Sequence, residues 1–564
     1  MLLSELARTS EAVAGESGRR AKIDELASLL RRAEPGEIGL AVAFLSGELR
    51  QRQIGVGYAA LSDLLRPGLP APGPDSAGAS GGPGRALTLA VLDDVFAAIG
   101  AVTGPGAQAE RRRLLADLFA RATPAERSFL GRLLTGEMHQ GALEGVMTEA
   151  VARAAGVSAE EVRRAVMLGG SLPAVAEAAL SAAARAAAPG PGEPARGEAG
   201  RAQDDPGAAA ASAALRAFRL EVGRPLRPML AASAPTVAAA FERLSPAAVE
   251  WKIDGIRIQV HRNGPEVRVF TRSLDDITAR LPEVTSAVLR SPAQTLVLDG
   301  EAIALGPDGR ARPFQVTASR AGTQGVPDRL GRDTPLTPFF FDLLHADGRD
   351  LVDEPATGRQ DLLAAVLPAE FRVPRLVTGD PAEAERFFAD AVARGHEGVV
   401  VKSLDAPYAA GRRGSDWIKV KPRHTLDLVV LAAEWGHGRR RGWLSNLHLG
   451  ARDPETGGFV MLGKTFKGLT DQMLGWQTER LLELAEPAAA RPDGDRRDAF
   501  GVLRVRPELV VEIAFDGVQA SPRYPGGVAL RFARVLRHRP DKPAAEADTI
   551  AAVRALWAGE PGPG

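Results

Sequence analysis

Lys252 lies in the stretch EWKIDGIRIQV, residues 250–260, where alternating apolar and polar side chains predict a half-buried strand. On that pattern alone it is a wet-face lysine. The chain, however, hardly uses lysine. Of its 70 basic residues eight are lysines (Lys22, Lys252, Lys402, Lys419, Lys421, Lys464, Lys467 and Lys542), which leaves 62 arginines. Where a cation has only to be solvated or paired, this sequence takes arginine. Each surviving lysine is therefore a candidate for work that needs a compact ammonium or an amine able to lose its proton. Mutational bias with chance survival suffices for Lys22 and Lys467. Lys252 differs because it opens the tetrad K-x-D-G-x-R (Lys252, Asp254, Gly255, Arg257), expected by chance in well under ~1% of chains this long.

Further charged motifs follow in order. They are FTRSLDD with Arg272, VLDGEA with Glu301, FFFDLLHADG with Phe341, EGVVVK with Glu397 and Lys402, RRGSDWIKVK with Arg413, Lys419 and Lys421, and RHRPDK with Arg539, Asp541 and Lys542. The series resembles the ordered motifs of the covalent nucleotidyltransferase superfamily, and its wording is similar to that of ATP-dependent DNA ligases of the bacterial and archaeal type. RPLRPMLA ahead of the lysine, EWGHGRRRGWLSNLHLGA and LGKTFKGLTD agree with it. The resemblance covers residues 218–545 closely. It reaches the region before them more loosely, through FLGRLLTGEMHQGALEGVM.

The resemblance implies sealing of nicks in double-stranded DNA with ATP and Mg²⁺, through a lysine-bound AMP. A nick's 5′-phosphate is a poor electrophile, and giving it AMP as a leaving group divides one hard step into easier ones. An amine can attack the α-phosphorus of ATP; a guanidinium cannot. At a reference pKa near 10.4 the amine is free only about 0.04% of the time at pH 7, a cost of roughly 4–5 kcal/mol that burial, neighbouring arginines and a metal ion must reduce. ATP brings about four negative charges, so cations have to converge on it. Arg257, Arg272, Arg413, Lys419 and Lys421 are the candidates, with Arg412 as the alternative to Arg413. The resemblance puts Lys419 and Lys421 near the α-phosphate, Glu397 on the metal and Glu301 on ribose or metal. It further implies Phe341 stacked on adenine with Val400 on the other face, Glu250 at the base edge, and Arg539 and Lys542 orienting pyrophosphate before swinging away. Taken singly, Glu301 and Glu397 read as solvated strand-end carboxylates, and Phe341, like Phe339 and Phe340, as core.

Three textures must position these residues. Residues 1–210 are expected to form a helical DNA-binding domain, with apolar spacing at Leu114, Leu115, Leu118 and Phe119 and again at Phe129, Leu130, Leu133 and Leu134. It contains a Pro/Gly-rich loop (66–84) and closes in a linker (188–210). Residues 218–425 alternate short β-rich runs with helices, as in an α+β adenylation domain. Residues 427–555 read as successive antiparallel strands, enough for a small β-barrel of the OB type, and 556–564 as a disordered tail.

Composition narrows the function classes. No cysteine means no disulfide, thiol nucleophile or Cys-ligated zinc, and the four-cysteine zinc site of NAD-dependent ligases is missing. No apolar run approaches a membrane span, and MLLSELARTSEAVAGESGRR does not read as a signal peptide, so the expected place of action is the cytoplasm, at the nucleoid. Net charge is zero, so DNA must be gripped by patches such as GHGRRRG (436–442) and RFARVLRHRPDK (531–542). A monomer is expected, with sliding-clamp or repair proteins as further partners. GFVMLGKT (458–465) satisfies the P-loop pattern but reads as a strand, and VARAAGVSAEEVRRAVM (151–167) has a helix-turn-helix cadence shared by many non-DNA helices. The competing readings are an RNA ligase or GTP-using capping enzyme, and a non-catalytic DNA-binding protein.

Overall fold

The computed structural model describes residues 1–51, 54–55, 86–136, 138, 144–187, 205–322, 334–410, 413–486 and 502–558. The loop expected at 66–84 and all but the last six residues of the 188–210 linker lie outside them. The N-terminal part is helical. Its helices start where the sequence supplies caps: Thr123 and Ser158 form capping boxes with Glu126 and Glu161, and Pro124 takes the first helical position. Leu115, Leu118, Phe119, Phe129, Leu130 and Leu133 enter one core with Leu3, Leu26 and Phe44, while Leu114 and Leu134 pack at its edge. The helix Pro206–Arg216 contributes Ala211 and Leu215 to the same core, so the helical packing runs past residue 210. In the helix-turn-helix candidate, the second helix (Ala159–Gly169) is occupied: Glu161 accepts from Ser212, and Arg164 forms two hydrogen bonds to Asp353.

The middle of the chain holds two five-stranded sheets. Its strands are β1 (Leu230–Ser233), β2 (Ala247–Trp251), β3 (Ile256–Asn263), β4 (Glu266–Thr271), β5 (Thr295–Ala304), β6 (Leu336–Ala346), β7 (Arg349–Asp350), β8 (Arg375–Thr378), β9 (Val399–Ser403) and β10 (Arg413–Val420). One sheet has the order β1-β10-β9-β2-β8 and the other β4-β3-β5-β6-β7. EWKIDGIRIQV is thus not one strand. Trp251 ends β2 in the first sheet, Ile256 begins β3 in the second, and residues 252–255 cross between them. The polar positions of β3 are not wet either. Gln259 pairs through both ends of its amide with the backbone of Leu226 (2.7 and 3.1 Å), and His261 Nδ1 accepts from Gly223 N–H (2.9 Å). A strap at 220–229 covers that face, which is why period-two alternation misreads it as solvent.

The C-terminal part is sheet-rich. Its strands are β11 (His424–Trp435), β12 (Leu444–Arg452), β13 (Phe459–Thr465), β14 (Val502–Arg504), β15 (Val510–Phe515), β16 (Gly517–Ala520), β17 (Val528–Arg531) and β18 (Arg534–His538). The order is β13-β12-β11-β15-β18, with β14 also on β11 and β16-β17 as a separate hairpin. Among the described residues no pairing joins β13 to β18, so the sheet is open where a closed barrel was expected. The P-loop look-alike is β13 itself, and the next helix begins only at Asp471, so no helix start meets a converging loop there. Residues 556–558 of the expected tail form the last turn of the helix Ile550–Ala558; 559–564 lie outside the described residues.

A buried ion pair braces the middle domain: Arg359 holds both oxygens of Asp342 (2.7 and 3.1 Å) and the carbonyls of Glu354 and Ala406, with side chains 1% and 2% exposed. Replacing one partner strands the other in low dielectric. Arg359→Ala should destabilise the domain by about 3–5 kcal/mol, read as a lower urea midpoint.

Candidate functional site

The crossing at 252–255 opens into a cleft of ≈590 Å³ between the two sheets and the C-terminal part. Its position is fixed by backbone. Lys252 N–H donates to Gly398 C=O (2.8 Å) and Glu397 N–H donates to Lys252 C=O (2.9 Å), so the ends of β2 and β9 are clasped with both side chains pointing into the same space. Gly398 permits this, since its φ is +130° and a Cβ there would lie 2.2 Å from Val420 C=O. Gly255 is as constrained: a Cβ would stand 2.3 Å from Ala302 C=O.

Lys252 forms an ion pair with Glu397, whose other oxygen accepts from Lys421 (2.9 Å). Burial alone would raise the Glu397 carboxyl, but Lys252 and Lys421 outweigh it and hold its pKa at about 2. Glu301, on β5, is pushed the other way: burial raises it to about 7 against the pull of Lys252 and Arg257. Arg257, Arg272 and Arg531 share the cleft with Lys252, but the group in direct contact with it is a carboxylate.

Aromatic rings line part of the cleft. Phe341 and Trp417 meet edge-on (5.9 Å, 85°), and Lys402 lies 4.6 and 4.2 Å from their centroids. Lys402 is bonded to Glu250 Oε2 (2.5 Å); both are buried, and Glu250 Oε1 has no hydrogen-bond partner, the Arg375 guanidinium lying 3.8 Å from it. Val400 also lines the cleft. Arg257 does not reach freely into it. Asp299 holds it in a bidentate pair (3.0 and 2.7 Å), Met229 C=O accepts its third bond (2.7 Å), and Asp299 Oδ2 also accepts from Tyr408 (2.6 Å). Its guanidinium lies 5.4 Å from the Phe341 ring centre.

Arg272, Lys419 and Lys421 line the cleft as well. Arg413 opens β10 opposite Leu230, but its side chain lies outside the described residues, as does Arg412. Arg539 and Lys542 are elsewhere: both bind Asp427 (2.9 and 2.7 Å), away from the cleft lining. The C-terminal part presents other residues instead. Arg531 binds Asp254 (2.8 Å) and lies 5.3 Å from the Phe314 ring, Asp516 binds Lys421 (3.2 Å), and Lys467 and Phe532 line the same opening. Sequence reasoning missed Trp417, Asp516, Arg531 and Phe532, left Lys402 without a role and set Lys467 aside. The scarcity of lysine was the available signal for the last two. In the cleft lining eight cations face five carboxylates, an excess of positive charge in a chain that is neutral overall.

Comparison with known proteins agrees with this geometry. Residues 228–421 match the family model of the ATP dependent DNA ligase domain, 440–542 that of the ATP dependent DNA ligase C terminal region, and 76–152 that of the DNA ligase N terminus. A probable DNA ligase of Mycobacterium marinum is 55% identical over 560 residues, 99% of this chain and 100% of that protein. One from Beutenbergia cavernae is 56% identical over 99% of both chains. Among solved structures, Pmar-Lig_PreS3 superposes with a TM-score of 0.55 at 15% identity, over 95% of this chain and 99% of that one, a likeness of fold.

The clasp gives a direct test. Gly398→Ala forces the β9 end away from Val420 and separates Glu397 from Lys252, so covalent labelling by α-labelled ATP should fall by at least ~100-fold while the helical region keeps its circular dichroism.

Proposed function

The chain belongs to the ATP-dependent DNA ligases, enzymes that use ATP and Mg²⁺ to seal nicks in duplex DNA, and from that premise we propose that Lys252 is the residue that carries AMP. Its Nζ attacks the α-phosphorus and pyrophosphate leaves; the AMP passes to the 5′-phosphate of the nick, and the 3′-hydroxyl then displaces it, closing the phosphodiester. The observation that carries this reading is the Lys252 side chain set against Glu397 in a cleft whose cations outnumber its carboxylates. With relatives at 55% identity named probable DNA ligases, the RNA-ligase, capping and non-catalytic readings fall away.

The salt bridge to Glu397 positions the Lys252 side chain in the cleft. Bound Mg²⁺ shields the phosphoryl oxygens, and Glu301 and Glu397 are the carboxylates that would hold it. Among the described residues no third His, Asp or Glu completes a metal cluster, which suits an ion whose other ligands are phosphate oxygens and water. Lys419 and Lys421 neutralise the α-phosphate, with Arg272 and Arg413 as further cations.

The base enters beside the Phe341 ring. Phe341 and Val400 flank it, and Glu250 Oε1, which has no hydrogen-bond partner and lies 3.8 Å from Arg375, accepts from the exocyclic amine of adenine, where guanine would present a second acceptor. For Arg539 and Lys542 to meet pyrophosphate, the C-terminal part turns as a body, carrying with it Asp427, which holds both side chains from β11 of the same sheet. The same reading takes the C-terminal sheet as an OB-type fold and residues 1–210, 218–425 and 427–555 as the working units. It sets the arginine patches on the duplex and has the enzyme act as a monomer at the nucleoid; no described helix is long and apolar enough to cross a membrane.

Lys252→Ala should abolish the AMP adduct formed from α-labelled ATP, and mass mapping of the parent protein should place that adduct on Lys252; an adduct elsewhere sinks the assignment. Glu250→Gln should raise the KM for ATP about 10- to 100-fold in self-adenylylation and narrow the preference over GTP.

A further inference from the structure

Lys467 is the cleft lysine that the chemistry above leaves unused. It lies in the turn between β13 and the helix Asp471–Glu483, where its carbonyl accepts from Val535 N–H on β18 (2.9 Å). The turn is thereby tied to the strand that follows Arg531. Lys252, Lys402, Lys421, Lys464 and Lys542 all bind carboxylates. Lys467 has no ion-pair partner among the described residues; its ammonium lies 5.7 Å from the Phe532 ring, which steadies it without neutralising it. Arg272, brought to the same cleft by the middle domain, likewise has no ion pair among the described residues. A cleft to which each domain brings such a cation is suited to an anion.

The timing of that anion follows from the two ends of β18. Arg531, just before it, sits in the cleft on Asp254, while Arg539, just after it, is bound to Asp427 outside. If Arg539 and Lys542 serve pyrophosphate, the C-terminal part must turn them inward for self-adenylylation, which carries Lys467 and Arg531 out. Lys467 thus faces the cleft in the arrangement that does not serve pyrophosphate, and the anion left for that arrangement to hold is the 5′-phosphate of the nick. Resting on the ligase reading above, we propose that Lys467 contacts a non-bridging oxygen of that 5′-phosphate, with Arg272 in the same cleft, and acts in the steps after Lys252 has been adenylylated. Because it touches substrate it is a catalytic residue of those later steps.

The test uses full-length enzyme and a nicked duplex whose 5′-phosphate already carries AMP. That substrate bypasses Lys252, so the measurement stays informative in a Lys252→Ala background, and a failure of the lysine-adenylate assignment is recognisable separately by the missing adduct. Single-turnover sealing of this nick should fall at least ~10-fold in Lys467→Ala and recover to within about threefold of the parent in Lys467→Arg, which keeps the charge. Self-adenylylation with α-labelled ATP, measured on the same preparations, should fall at least fivefold less than sealing. The proposal is overturned if Lys467→Ala seals the adenylylated nick within twofold of the parent, or if adenylylation and sealing fall together, which would mark Lys467 as merely structural.

Discussion

Two backbone hydrogen bonds, Lys252 to Gly398 and Glu397 to Lys252, organise the whole site. They bring the Lys252 side chain and the neighbouring strand's carboxylate into a single contact, and they exist only because Gly398 leaves room for Val420 C=O. The ion pair that results holds the Lys252 side chain in the cleft beside Glu397. Lys252 and Lys421 hold the Glu397 carboxyl at about 2 despite its burial, whereas burial raises Glu301 to about 7, so the two carboxylates of one cleft differ in charge at neutral pH.

The cleft belongs to two domains at once. The middle domain supplies Phe341, Trp417, Lys252, Arg272, Lys419 and Lys421; the C-terminal part supplies Arg531, Asp516 and Lys467. Asp516 shares Lys421 with Glu397, and Arg531 ties up Asp254, one of the four residues of the opening tetrad. Docking of the C-terminal part is therefore written into the same charges that handle nucleotide, so each domain arrangement redistributes them rather than adding a separate lock.

Much of this was legible in the sequence, for an identifiable reason. Lys252, Glu250, Glu301, Phe341, Glu397, Lys419 and Lys421 sit in short segments whose residue types are constrained together, and the structure gathers them into one cleft. What the sequence hid was of two kinds. Asp254 and Arg531 are 277 residues apart, and no local pattern announces such a pair. The second kind is polarity that looks like surface: Gln259 and His261 alternate with Ile258 and Val260 as wet residues would, yet all four are buried. Alternation reports which side chains are polar, not whether water or another stretch of chain receives their hydrogen bonds. The open C-terminal sheet is a related case, since strand-like runs fix the strands but not their closure.

The strap at 220–229 is an integral part of the middle domain. It occupies a sheet face as a bound peptide would, filling Gln259 and His261 and lending Arg257 the carbonyl of Met229. His261, its pKa lowered to about 3 chiefly by burial, stays neutral through the whole physiological range, so nothing in ordinary acidity loosens that seam. A fragment trimmed at the first strand would keep every nucleotide-facing residue and still lose its built-in ligand, exposing a polar edge ready to capture some other extended chain.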